Sequence, residues 1–320
     1  MHPAFSVIFF TVVSGCGYGL LFLLGLVVAV DPHSLQRTQA LLTLALGIAF
    51  AAAGLTSSTL HLGQPLRAWR AFSQWRSSWL SREGVAALCS FVPALALGIL
   101  LWRGGDESLS RLAGGLLALL AVATVCCTAQ IYASLKTIHA WRNAYVLPGY
   151  LVLGLLGGAF WWQLTQRVVE TSATSPAWLL ALAPVAAVAS WLLKRAYWRF
   201  IDTTRHAATP ESATGLGAFG TVRTAERPHT EANYLTNEMG FVLARKHATR
   251  LRAIAAMLFG VVPALLALPI AFLDARAPAL ALLCSAAATA SVTAGLFVER
   301  WLFFAEARHV VMLYYGAEAA

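Results

Sequence analysis

The sequence predicts an all-α integral membrane protein, a bundle of eight transmembrane helices, and three observations carry that prediction. The 320 residues are 59% hydrophobic and only 12% charged, about half the charged share of a soluble domain. The apolar residues gather into runs of the length that crosses about 30 Å of hydrocarbon, which takes about 20 residues of helix. Those runs contain no Lys or Arg, and continuous apolar runs satisfy their backbone groups in lipid as helices. The net charge of +9 would suggest nucleic acid in a soluble protein. Here the basic residues lie between the runs, where membrane proteins keep them, and no nucleic-acid partner is expected.

The spans fall at 5–30, 38–60, 84–102, 112–134, 146–165, 177–193, 253–273 and 278–298. The first opens "MHPAFSVIFF", with no basic residue and no small-residue cleavage site, and reads as a retained span rather than a signal peptide. Small residues recur as "GCGYG" at 15–19, "AFAAAG" at 49–54, "GLLGG" at 154–158 and "SAAATASVTAG" at 285–295, where they let helices approach closely. The largest polar stretch, 201–250, is expected to be a loop facing a partner. Its "TPESATGLGAFG" reads as a flexible loop, and 232–252 as an amphipathic helix leading into span seven. No soluble domain or internal repeat stands apart, so 1–320 reads as one membrane domain. Cys16, Cys89, Cys126, Cys127 and Cys284 all lie in apolar runs without a C-x-x-C. They read as packing residues, and no iron–sulfur or zinc site is expected in this chain.

Charge sets the expected orientation. The loops 61–82, 135–144 and 194–252 and the C-terminal tail share one face and hold 18 of the 23 Lys and Arg; the opposite loops hold 5. Positive loops stay cytoplasmic, so both termini are expected inside, in the inner membrane of a bacterium.

Self-contained enzyme motifs (G-x-S-x-G, H-E-x-x-H, a P-loop) do not occur. A membrane haem needs histidines facing each other within the bundle. All eight histidines fall at or beyond span ends, His61 with His309 being the best available pair, so no haem is expected. A transporter would carry charged or broken helices near the midplane, whereas these spans lack basic residues and the acids stop at their edges. The informative stretch is "HLGQPLRAWRAFSQWRSSWLSREG", 61–84. His61 ends span two and Glu83 begins span three, near one membrane face. A histidine can donate to a carbonyl oxygen and exchange protons near neutral pH, and a carboxyl beside lipid can carry a proton. Trp69, Trp75 and Trp79 suit an interface or the wall of an apolar ring, and Arg67 and Arg82 shape the pocket or dock a partner. These are the parts of a quinone site. They are equally the parts of a membrane-edge anchor, with His61 capping a helix.

Longer stretches carry a resemblance. "HPAFSVIFFTVVSGCGYGLL" at 2–21, "HLGQP" at 61–65, "SWLSREG" at 78–84 and "IYASLKTIHAWRNAYVLPGYLVLGLLGG" at 131–158 resemble the DmsC-type anchor subunits of dimethyl sulfoxide reductase-like molybdoenzyme complexes. So do "AYWRFID" at 196–202, "PHTEANYLTNEMGFVLARKHATRLR" at 228–252 and "ERWLFFAEARHVVMLYYG" at 299–316. The similarity touches every part of the chain. It implies an eight-helix anchor without haem. Its implied partners are a ferredoxin-like iron–sulfur subunit and a catalytic subunit with molybdopterin guanine dinucleotide, with quinone or quinol as the exchangeable electron carrier. It also implies that His61 and Glu83 match the histidine and glutamate of that family's quinol site. The opening "HPAFSVIFFT" is nearer the sulfite dehydrogenase anchors. With the charge bias, this makes sulfite oxidation on the cytoplasmic side the expected reaction. The alternatives are the anchor of an exported S- or N-oxide reductase oxidising menaquinol, a purely structural anchor, and a transporter.

Overall fold

The computed structural model describes residues 3–59, 64–169, 177–226, 231, 233, 239, 246–273 and 277–319. Among them run eight long helices and no strand. They are α1 (Phe5–Val30), α2 (Arg37–Thr59), α3 (Trp79–Arg103), α4 (Glu107–Ala133), α5 (Val146–Val168) and α6 (Ala177–Thr203). Then come α7, covering 248–273 with a π turn at Met257–Val261, and α8 (Pro278–Ala305). Seven, against the eight expected, are long and apolar enough to cross a membrane. The other, α6, has 27 residues and carries Lys194, Arg195, Arg199 and Asp202 toward its end.

Helix α1 is apolar on every side, as a helix surrounded by others must be. It packs against α2, α4, α5 and α8. The small residues read from the sequence do the work expected of them. A Cβ on Gly25 would stand 2.5 Å from the carbonyl oxygen of Gly114, and one on Gly19 would overlap the backbone of Gly154, so α1 meets α4 and α5 backbone to backbone. The outer helices turn a different stripe to the lipid. Leu88, Val92, Leu95, Ile99 and Trp102 on α3 are exposed at helical spacing, as are Leu109, Leu112, Leu116 and Leu119 on α4. The α3–α4 link is tight because Gly104 takes a left-handed φ of 66° and Asp106 caps α4, accepting from the Leu109 amide at 2.9 Å.

Several boundaries differ from those the sequence suggested. Helix α3 starts at Trp79 rather than 84, α6 continues past 193 to Thr203, and α8 continues past 298 to Ala305. Lys194 and Arg300, assigned above to the basic loops, therefore belong to helices. The stretch Pro65–Gln74 is a 3-10 helix rather than irregular loop. Residues 210–214 within "TPESATGLGAFG" form a one-turn helix (Pro210–Thr214). Thr209 and Ser212 cap it reciprocally, and Pro210 starts its first turn. Most of 232–252 lies outside the described residues; α7 begins at Ala248.

The loop after α4 is bolted to the bundle. The Trp141 indole donates to the Phe303 carbonyl at 2.9 Å, Tyr197 donates to the Ala140 carbonyl at 3.0 Å, and the Val310 amide donates to the Thr137 carbonyl at 3.1 Å. One face of the bundle thus gathers the starts of α1, α3, α5 and α7 and the ends of α2, α4, α6 and α8.

Candidate functional site

At this face the 3-10 helix Pro65–Gln74 lies over the start of α3. Three contacts hold it there. The Ser81 hydroxyl donates to the Ala71 carbonyl, the Phe72 ring covers Gly84, and the Arg82 guanidinium donates to the carbonyls of Trp75 (3.0 Å) and Arg76 (2.8 Å) while lying over the Trp79 ring at 4.2 Å. The arginine thus ties the end of the 3-10 segment to the first turn of α3.

Glu83 points inward from this corner and is 4% exposed. The Thr128 hydroxyl of α4 shares its one proton between the Glu83 carboxyl and the Thr124 carbonyl at 3.1 Å. Beyond Thr128 is a cavity of about 20 Å³ between α1, α4, α5 and α8, room for one water. Its wall carries the hydroxyls of Thr11, Ser14, Tyr18, Thr128 and Tyr150 and the guanidinium of Arg300. The Tyr18 and Tyr150 hydroxyls are buried and make no well-formed hydrogen bond to protein; Ser90 and Thr124 lie beside the first, and the Tyr132 ring stacks on the second at 5.8 Å.

The sequence-derived candidates therefore separate. Glu83 and Arg82 sit together at the start of α3. Arg67 and Trp69 lie on the 3-10 helix and are exposed, Trp69 by 66%, with Arg70 over the Trp69 ring at 5.6 Å. His61 lies outside the described residues. His309 accepts the Val311 amide on Nδ1 at 3.0 Å and so caps a 3-10 turn, Val310–Tyr315; partial burial lowers its pKa.

The sequence reading missed a second group of polar residues. Lys194 of α6 sits 2.6 Å from the Glu299 carboxylate of α8, and Arg300 stands 3.6 Å from its other oxygen. Glu299 is 0% exposed, and Lys194 and Arg300 are buried with it. Acids therefore do not stop at the span edges, contrary to expectation. Arg300 lies over the Tyr150 ring at 3.7 Å, and Lys194 over the Tyr197 ring at 3.9 Å. Toward the surface, Arg252 forks to Asp202 (2.7 and 3.1 Å) and Glu306 (2.9 and 3.1 Å). Burial raises the Glu306 pKa, and Arg252 opposes the rise. These residues border a cleft of about 810 Å³ with His139, Thr204, Arg205 and Arg308. The signal in the sequence was "GLFVERWLFF", an acid and a base flanked on both sides by apolar residues. Ending a span at its first charge hid it. Among the described residues, no three His, Cys, Asp or Glu converge as metal ligands would.

Comparison with known proteins bears on this site. The family described as DMSO reductase anchor subunit (DmsC) matches residues 1–316. The chain is 31% identical to the C subunit of sulfite dehydrogenase from Allochromatium vinosum over an alignment of 345 positions that covers 100% of both chains.

Proposed function

Because the chain belongs to the DMSO reductase anchor subunit (DmsC) family, we propose that it is the quinone-reactive membrane anchor of a heterotrimeric molybdenum oxidoreductase. In this reading it passes electrons between the quinone pool and a ferredoxin-like iron–sulfur subunit. The catalytic partner holds molybdopterin guanine dinucleotide, and the partners' cofactors supply the redox chemistry toward the terminal substrate. This chain binds and orients the quinone head group and moves its protons. Each quinone reduced takes up two electrons and two protons, and each quinol oxidised releases them.

The observation that carries the quinone reading is the Glu83 carboxyl. It is buried one turn inside the face where helices α1, α3, α5 and α7 start, and it is hydrogen-bonded by Thr128. An ionisable residue inside a membrane bundle is expensive and marks a proton or ion path. The Pro65–Gln74 helix above it offers the exposed apolar side chains of Leu66, Trp69 and Phe72, with His61 adjoining in sequence as donor to a quinone carbonyl. Glu83→Gln keeps the shape and removes the acid. In the assembled complex it abolishes quinone-linked turnover and leaves artificial-dye activity intact. Unchanged quinone-linked turnover overturns the assignment.

Sulfite oxidation on the cytoplasmic side is the favoured reaction. The similarity to the sulfite dehydrogenase protein and the excess of basic residues on the side of the 61–82 and 194–252 segments support it together. A reporter fused after Ala320 reads cytoplasmic if the orientation is right and periplasmic if it is wrong. The family's description as a DMSO reductase anchor supports the second reading, an exported oxide reductase drawing on menaquinol. A twin-arginine leader on the catalytic partner distinguishes that reading from the first.

A further inference from the structure

We propose that a buried proton route runs sideways through the bundle from Glu83 to the cleft beside Arg252, by way of the hydroxyl-lined cavity and the Glu299–Lys194 pair. The route rests on the quinone reading above, because a proton exchanged at Glu83 needs a path to water.

Four observations join into one line. Thr128 touches both Glu83 and the cavity. The cavity is lined by Tyr18 and Tyr150, whose buried hydroxyls lack a well-formed hydrogen bond to protein. Such groups take a water as bridging partner where space permits. Tyr150 and Arg300 form the wall shared with a second, smaller cavity of about 10 Å³, whose lining includes Lys194, Tyr197 and Glu299. Past Lys194, Glu306 and Asp202 reach the open cleft through Arg252.

Cost is the second argument. Three charged side chains buried together are poor stabilisers: replacing such a group by well-packed apolar residues is often neutral or favourable. A hydroxyl, a water, a carboxyl or an amine can each accept one proton and release another. Arg300 keeps its protons and serves as the fixed positive charge beside Glu299. In the direction of quinol oxidation, a quinol O–H bond breaks and the Glu83 carboxylate takes the proton; Glu83 then passes a proton to the Thr128 hydroxyl oxygen as the Thr128 O–H proton goes to a cavity water. The water's own proton passes along the Tyr150 hydroxyl to the Glu299 carboxylate. Lys194 then gives an N–H proton toward Glu306 and regains one from Glu299, and Glu306 releases to water in the cleft. Every hop breaks one O–H or N–H bond and makes another, and the line ends in its starting charge state. Quinone reduction runs it in reverse. The other titratable groups along the line are Cys16, Cys127, Tyr132, Tyr145 and Tyr197.

The test compares the wild-type complex with Lys194→Met/Glu299→Leu, which removes both charges and keeps the volume, and with Tyr150→Phe, which removes one hydroxyl. Quinone-analogue quenching, dye-linked activity and quinone-linked turnover are measured in H₂O and D₂O, with and without a small weak acid. The route predicts wild-type analogue binding and dye activity in both variants. Quinone-linked turnover falls roughly tenfold or more, the solvent isotope effect enlarges, and the weak acid restores part of the rate. Wild-type turnover and isotope effect in Tyr150→Phe, or in the double variant where it assembles, overturns the route and leaves the quinone reading standing. Absence of analogue binding in the wild type overturns the quinone reading itself.

Discussion

Replacing Thr128 by Val removes one hydroxyl and almost nothing else. Valine has the shape of threonine, and the bond Thr128 makes to the Thr124 carbonyl is local to α4, whose backbone ladder is intact without it. What is lost is the donor to the Glu83 carboxyl. Glu83 is 4% exposed, so bulk water cannot replace that donor. A hydrogen bond to a charged group contributes about 1.5–3 kcal/mol, and each 1.4 kcal/mol is a factor of ten. The expected effect of Thr128→Val on quinone-linked turnover is therefore a loss of about ten- to a hundredfold, borne by kcat because the bond acts on the acid rather than on the quinone. Thr128→Ser, which keeps the hydroxyl, recovers most of it. The assay is quinone-linked against dye-linked turnover in membranes holding equal amounts of the complex. Wild-type kcat in Thr128→Val, with Glu83→Gln inactive, would refute the reasoning by showing that Glu83 works without the Thr128 hydroxyl.

Three further expectations follow from the packing and the surface. Gly114→Ala sets a methyl 2.8 Å from the Gly25 carbonyl oxygen and drives α1 from α4, whereas Gly115→Ala meets nothing closer than Ala29 at 3.9 Å. The first costs about 1–3 kcal/mol and lowers the thermal midpoint of the detergent-solubilised complex; the second leaves it equal or higher, helped by better helix propensity. Arg252→Ala strands the buried Glu306 carboxyl that Arg252 pairs with, which costs about 3–5 kcal/mol, and the same thermal assay should show a larger drop than Asp202→Ala at the exposed end of the fork. His139 has its pKa lowered, first by partial burial and then by His206, and it bonds Thr204 at 2.7 Å. Its unfolded form binds the proton more readily, so its contribution is complete above the ordinary histidine pKa and is lost as pH falls through that value toward the lowered one. Amide exchange at 136–141 and 203–206 should quicken over that interval in the wild type and stay flat in His139→Asn.

Most of the architecture was legible because lipid imposes a single length and a single backbone solution on every span. The glycines of α1 announced close packing for the same reason. What the sequence hid was where helices end. A hydropathy window stops at Lys194 and before Glu299, but a helix continues through a charge that finds a partner on another helix, and that pairing of α6 with α8 leaves no local periodicity. The same limit applies to Glu83. Its place at the start of a span was readable, whereas its donor, Thr128, and the cavity behind it come from helices distant in sequence. Arg67 and Trp69 were grouped with Glu83 by nearness in sequence alone. The 3-10 helix holding them is fixed by Ser81, Phe72 and Arg82, and it turns both side chains outward.

The central claim is that the corner around Glu83 binds a quinone. It is tested most directly by titrating a fluorescent quinone analogue against membranes that hold the assembled complex, as wild type, His61→Ala and Glu83→Gln. The account predicts saturable quenching in the wild type that is lost in His61→Ala and weakened in Glu83→Gln, with dye-linked activity equal in all three. Equal quenching in all three, or none in the wild type, would contradict it.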